Sequence, residues 1–139
     1  MQAQHQKGEQ LFEVHGKTIT RTIMDISPAG IKIQSNDEGQ VSGKYDGAHM
    51  ETTTIWLKTD GTSEWENKAL ELTKDGDLIA VMGKGTGKNT SPTKVEWTGE
   101  VSYMTQSPKL SWLNSTKGWV EGWADNVSGE FHGKVYAMK

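Results

Sequence analysis

The chain has 139 residues, 33% of them hydrophobic, with a mean hydropathy of −0.68 and a net charge of −3 from 15 basic and 18 acidic side chains. That length fits one domain able to bury a core without covalent staples, and six tryptophans and 16 glycines against three prolines mark a folded β protein with much polar surface. Charges spread without blocks exclude the basic stripe of a nucleic-acid binder, and the lack of any cysteine excludes disulfides, thiolate catalysis and zinc-thiolate sites.

Residues 1–10 are polar and lack the apolar centre of a signal peptide, and no apolar run approaches the roughly 20 residues that span a bilayer. A soluble cytoplasmic protein with no membrane partner is the expectation, with 1–139 forming one domain and 1–15 a less ordered N-terminal extension. Ile19, Arg21 and Ile23 alternate with Thr20, Thr22 and Met24 up to Ser27-Pro28-Ala29-Gly30, a first full strand. Residues 31–34 continue the alternation briefly, and 35–39 read as a polar turn.

Three Asp-Gly pairs, Asp46-Gly47, Asp60-Gly61 and Asp75-Gly76, then punctuate the chain every fourteen or fifteen residues. Such pairs supply the positive φ of tight hairpin turns. They separate segments at about 40–45, 48–58, 62–73 and 77–84, the second rich in β-branched residues at Thr52, Thr53, Thr54 and Ile55. Residues 85–93 combine nearly every turn-former and predict a mobile loop. The segment from Lys94 to Tyr103 is the cleanest period-two stretch, with Val95, Trp97, Gly99, Val101 and Tyr103 on one face. After the turn-rich 108–114, where Trp112 and Leu113 are expected to plug or anchor the fold, 118–124 and 129–138 form the last two strands. The count is about eight, with no helical apolar stripe. An all-β, up-and-down antiparallel barrel follows, because about eight strands close around a space just wide enough for side chains or one small ligand.

The stretch Ser107-Pro108-Lys109-Leu110-Ser111-Trp112-Leu113-Asn114, the final strand ending Lys134-Val135-Tyr136, and Asp75-Gly76-Asp77 leading into Val81-Met82-Gly83-Lys84-Gly85 are similar to small bacterial β-barrel domains of unknown function. These resemble the allene-oxide-cyclase-like barrel superfamily, which includes cyclases, dirigent-type proteins and uncharacterised single-domain barrels. The resemblance covers residues 40–139 and implies the barrel; it transfers no catalytic residue.

Among chemical motifs, Gly83-Lys84-Gly85-Thr86-Gly87-Lys88-Asn89 fails as a phosphate loop: three residues separate Gly83 from Gly87, and Asn89 stands where a hydroxyl must reach the metal. His5, His15, His49 and His132 show no metal-ligand spacing, and isolated histidines on polar strand faces are read as solvated. No metal or other cofactor is expected. Asn89-Thr90-Ser91, Asn114-Ser115-Thr116 and Asn126-Val127-Ser128 match the glycosylation sequon but read as turns.

Trp119, Glu121 and Trp123 share one face of a strand, with Val120, Gly122 and Ala124 on the other. Pointing inward, Glu121 would sit between aromatic walls as a general acid or polar anchor; pointing outward, the indoles would seat a subunit contact or cover a neighbouring strand. Glu130, His132, Lys134 and Tyr136 form another row that suits proton transfer, although the more apolar Phe131, Gly133, Val135 and Ala137 make the better inner face. The candidate ligand-binding residues are therefore Trp97, Tyr103, Trp119, Glu121 and Trp123, and the candidate catalytic residues Glu121 and His132. They suit a small-molecule-binding barrel that takes an apolar or aromatic partner, alternatively a cofactor-independent cyclase or isomerase, or thirdly a homo-oligomeric interaction module.

Overall fold

Residues 7–138 are described by the computed structural model. Its strands are β1 (Lys7–Ser27), β2 (Gly30–Gly43), β3 (Gly47–Lys58), β4 (Thr62–Thr73), β5 (Leu78–Asn89), β6 (Lys94–Thr105), β7 (Lys117–Asp125) and β8 (Glu130–Met138), with a 3-10 helix at Pro108–Ser115 between β6 and β7. Each strand pairs with the next, and β8 returns to β1, so the sheet is a closed eight-stranded antiparallel barrel. Closure pairs β1 with β8 as far as Lys17; beyond it β1 continues as a hairpin with β2 alone.

Two of the Asp-Gly turns work as their sequence suggests, with Gly61 at φ 84° and Gly76 at φ 90°. Gly47 instead opens β3, and Gly43 carries the positive φ of that connection. In both, Asp and Thr side chains close the loop: Asp60 accepts the Thr62 amide at 2.9 Å, and the Thr73 hydroxyl accepts the Asp77 amide at 3.0 Å.

Three segments depart from the sequence reading. Residues 7–15 belong to β1 and pair with both β2 and β8, so strand begins well before Ile19; residues 1–6 lie outside the described residues. Residues 35–39 are strand in the middle of β2, because Ser35 and Asp37 turn their polar side chains into the barrel. Gly85 to Asn89 extend β5 rather than form a loop, since Gly83, Gly85 and Gly87 alternate inward where large neighbours occupy the interior.

Those neighbours are Trp65 and Trp97, which meet edge to face at 5.9 Å. A Cβ on Gly99 would stand 2.5 Å from the Trp65 ring and one on Gly85 2.7 Å from it. Leu11, Phe12, Val41, Ile79, Val81, Val101, Tyr103, Val120 and Val135 complete the apolar core together with Leu110 and Leu113 of the 3-10 helix. The Asn114 side chain holds that helix to β6, accepting the Thr105 amide at 2.9 Å and donating to the Thr105 carbonyl at 3.1 Å. Leu113 is fully buried, whereas Trp112 is 39% exposed, so the leucine alone of that expected pair plugs the barrel.

Candidate functional site

Strand alternation turns His49, Glu51 and Thr53 of β3 toward the interior, and the register sets His49 opposite Glu71 of β4 and Glu51 opposite Asp37 of β2. These side chains form a buried, charged layer inside the barrel. His49 Nδ1 lies 2.7 Å from Glu71 Oε2 and Nε2 lies 2.6 Å from Glu51 Oε1. Ionised carboxylates only accept hydrogen bonds, so both ring nitrogens donate and His49 is an imidazolium clamped between two anions. Tyr45, from the connection before β3, donates its hydroxyl to Glu71 Oε1 at 2.5 Å, and Thr53 donates to Glu51 Oε2 at 3.0 Å.

The charges follow from this geometry. Burial pushes the His49 imidazole toward neutrality, but its hydrogen bonds to Glu51 and Glu71 and their charges outweigh that and raise it to about 9. Burial likewise pushes Glu51 up, and the His49 hydrogen bond and charge overcome it, leaving Glu51 below the usual carboxylate range. Asp37 goes the other way. Burial, then the charge and hydrogen bond of Glu51, raise it to about 7. Asp37 therefore holds its proton up to near neutral pH beside a Glu51 that stays ionised. Tyr45 and Tyr103 stay as neutral phenols, held up by burial and then by the Glu71 charge.

Asp37 Oδ1 is buried without a hydrogen-bond partner in the protein. Leaving such an atom unsatisfied costs about 1–3 kcal/mol, a penalty that a bound donor or acceptor relieves. Aromatic rings border the polar layer: Phe12 packs on Tyr45 at 4.5 Å and on Tyr103 at 5.9 Å, and the Phe131 ring lies 6.5 Å from His49. Among the described residues no group of three or more His, Cys, Asp or Glu is arranged to hold a metal ion.

Of the residues singled out from sequence, Trp97 and Tyr103 face inward, Tyr103 beside the polar layer and Trp97 against Trp65. Trp119, Glu121, Trp123 and His132 face outward, because Gly118, Val120 and Gly122 of β7 and Phe131, Gly133 and Val135 of β8 turn inward. The two sets share no common space. On the outer wall Glu121 accepts the Trp119 indole N–H at 3.1 Å and pairs with Lys7 at 3.1 Å. His132 stacks between Trp123 at 6.1 Å and His15 at 6.0 Å, and Lys94 caps Trp123 at 4.6 Å. Glu121 is thus a partly solvated, ion-paired carboxylate rather than an acid enclosed by indoles.

Sequence reasoning missed Asp37, Tyr45, His49, Glu51 and Glu71. The available signal was the run His49, Glu51, Thr53 at period two, opposite a second strand whose Glu71 and Thr73 also share one face. Expecting His49 to be solvated hid it; its side chain is 5% exposed.

No protein-family model matches the chain, and no curated protein matches its sequence. Solved structures do match across nearly the whole length. A protein of unknown function from Clostridium acetobutylicum superposes with a TM-score of 0.79 at 17% identity, covering 94% of this chain and 98% of its own. A β-barrel-like protein from Acinetobacter baumannii gives 0.77 at 22% identity, covering 94% of each chain. An enzyme from Penicillium herquei gives 0.71 at 24% identity, covering 96% of each. At these identities the likeness establishes the barrel fold and leaves function to the residues themselves.

Proposed function

We propose that this barrel is a cofactor-independent proton-transfer enzyme of isomerase or cyclase type, acting on a small, largely apolar molecule that reaches Asp37 and Glu51. The observation that carries the reading is Asp37: a buried carboxyl beside Glu51 that leaves Oδ1 without a protein partner and is raised to about 7 by burial and by the Glu51 charge. An acid that keeps its proton near neutral pH, side by side with a carboxylate that is ionised there, offers a substrate protonation at one atom and deprotonation at another. In this scheme Asp37 delivers a proton to the substrate, Glu51 removes one, and the hydrogen bond between them returns the proton to Asp37. The site ends in its starting state. His49 is a positioning residue: fixed by Glu71 on one side, it holds the Glu51 carboxylate in place and ionised.

Catalysis of this kind relies on placement and exclusion of water, so it leaves little trace as a motif. The aromatic lining suits an apolar substrate, and Tyr103 with Trp97 would report its arrival through quenched emission. Binding without turnover is the second reading; the same interior aromatic rings favour it.

The test is proton exchange in heavy water. Incubating the protein with a panel of small enolisable ketones, phenols and polyenes, and following deuterium uptake by nuclear magnetic resonance, should reveal a substrate whose exchange the protein accelerates. Glu51→Gln should then slow exchange by about 10²–10⁴-fold, with tryptophan quenching retained. Quenching by a ligand with no exchange in any member of the panel favours the binding reading. Neither quenching nor exchange, in a protein that melts cooperatively, removes both.

A further inference from the structure

The outer wall of β3 to β6 inverts the usual pattern. Met50, Leu70, Ala80 and Met104 stand side by side in register across four strands, and Ala48, Leu72 and Leu78 form the adjoining row. Met82 flanks them, and Ile19 from β1 borders the same shallow depression of about 520 Å³. Met50, Leu70, Leu72, Leu78, Met82 and Met104 are between 43% and 57% exposed. Neither row contains a charge between its ends. On the far wall, β7, β8 and β1 display Glu121, Lys134, Glu130 and Glu13, and a separate group of exposed apolar side chains, Ile23, Met24, Ile26 and Ile31, lies on the β1–β2 hairpin.

We propose that this face is where a second copy of the chain docks, apolar row on apolar row, to form a symmetric dimer. Four observations favour a second copy over other occupants. The six half-exposed side chains bare on the order of 600 Å², at the upper end of what a monomer leaves open. With Ile19, Ala48 and Ala80 the surface approaches the roughly 800 Å² that each partner contributes to a stable interface. An uncharged patch is complementary to itself, as a two-fold contact requires. Lys68 and Glu38 at its border carry opposite signs, which suits pairing with a copy better than adhesion to an anionic lipid surface. Three of the six methionines lie here, and their flexible side chains adapt to an opposing copy of themselves. This contact is separate from the indoles at Trp119 and Trp123, while Asp37 and Glu51, whose side chains turn inward, also border the depression.

Sedimentation equilibrium between about 1 and 200 µM tests the proposal; a dimer with a dissociation constant in or below that range is expected. Leu70→Glu and Met104→Glu should each weaken it at least tenfold, with circular dichroism and cooperative melting preserved because both side chains face solvent in the isolated chain. The chain has no cysteine, so single variants Met50→Cys, Leu70→Cys and Leu78→Cys give an unambiguous readout: at least one should form a disulfide-linked dimer on mild oxidation, whereas Lys134→Cys on the far wall should not. A monomer at every concentration overturns the proposal. So does a dimer indifferent to both glutamate variants, which places the contact elsewhere. A monomer that binds phosphatidylcholine vesicles, and loses that binding with Leu70→Glu, also overturns it in favour of a lipid surface.

Discussion

Trp97 occupies the space that a side chain on Gly133 would need: a Cβ there would stand 2.7 Å from Cη2 of the indole. The same ring bars any side chain at Gly122 of the neighbouring strand. Interior glycines and indoles are thus one packing unit, with bulk from β4 and β6 filling hollows on β5 to β8. Gly133→Ala should destabilise the barrel by about 1–3 kcal/mol, the range for overpacking a filled core. Trp97→Phe in the same chain should recover part of the loss. Urea unfolding measures both, and an unchanged midpoint for Gly133→Ala would mean that the ring moves aside freely.

Stability should fall on the alkaline side of neutrality. His49 is raised from 6.5 to about 9, so the folded state holds a proton that the unfolded state releases across that interval. Its contribution is fully present below pH 6.5 and is lost as pH rises through 9. Asp37, raised from 3.8 to about 7, adds a decline of the same sign between those values, because the unfolded carboxyl ionises first. Glu51 is lowered, so its contribution holds above its ordinary value of 4.5 and disappears as acid protonates it. Melting temperatures from pH 4 to 10 should show a fall between 6.5 and 9 that His49→Gln abolishes. Asp37→Asn should flatten the curve from pH 4 to 7. A profile that rises from pH 6.5 to 9 would contradict the imidazolium assignment.

The 3-10 helix closes the barrel through its leucines. Leu113→Ala should cost about 2–5 kcal/mol, as expected for a fully buried leucine whose neighbours cannot collapse into the gap. Trp112→Ala should cost much less, since its ring lies partly in solvent. Paired denaturation curves decide it, and equal losses would show that the indole clamps the helix after all.

Glu121→Gln offers a contrast with the interior. Its pair with Lys7 is partly solvated, so losing the charge should change stability by no more than about 1 kcal/mol. It should leave any exchange activity intact, whereas Glu51→Gln should not. An exchange assay in which Glu121→Gln is the more damaging change would move the chemistry to the outer wall.

Architecture was largely legible in the sequence. Strand alternation and the Asp60-Gly61 and Asp75-Gly76 turns located most of β3 to β8, and a count near eight implied closure. The interior site was not legible, for a specific reason. On β3 and β4 the polar residues His49, Glu51 and Glu71 go inside while Met50, Leu70 and Leu72 go outside, so a rule that sends apolar faces inward assigns these strands backwards. The same rule worked on β8, where Phe131 and Val135 do face the core, and it could have decided β7, where Val120 and the small Gly122 are inside. Polarity also hid the middle of β2: Ser35 and Asp37 look like turn residues, yet both are buried on the inner face of the strand.

Lys7 pairs with Met138 where β1 meets β8, which brings the two ends of the described chain together on one rim. The ring of hydrogen bonds therefore has no intrinsic first strand. A short Gly-Ser bridge from β8 to β1, with new termini cut at the Asp60-Gly61 turn, should yield a circularly permuted barrel with the same fold. A cut at Asp125 to Gly129 would instead divide the chain into two unequal pieces, and their reassembly would report on any event that brings them together, making this barrel a scaffold for split-protein sensors.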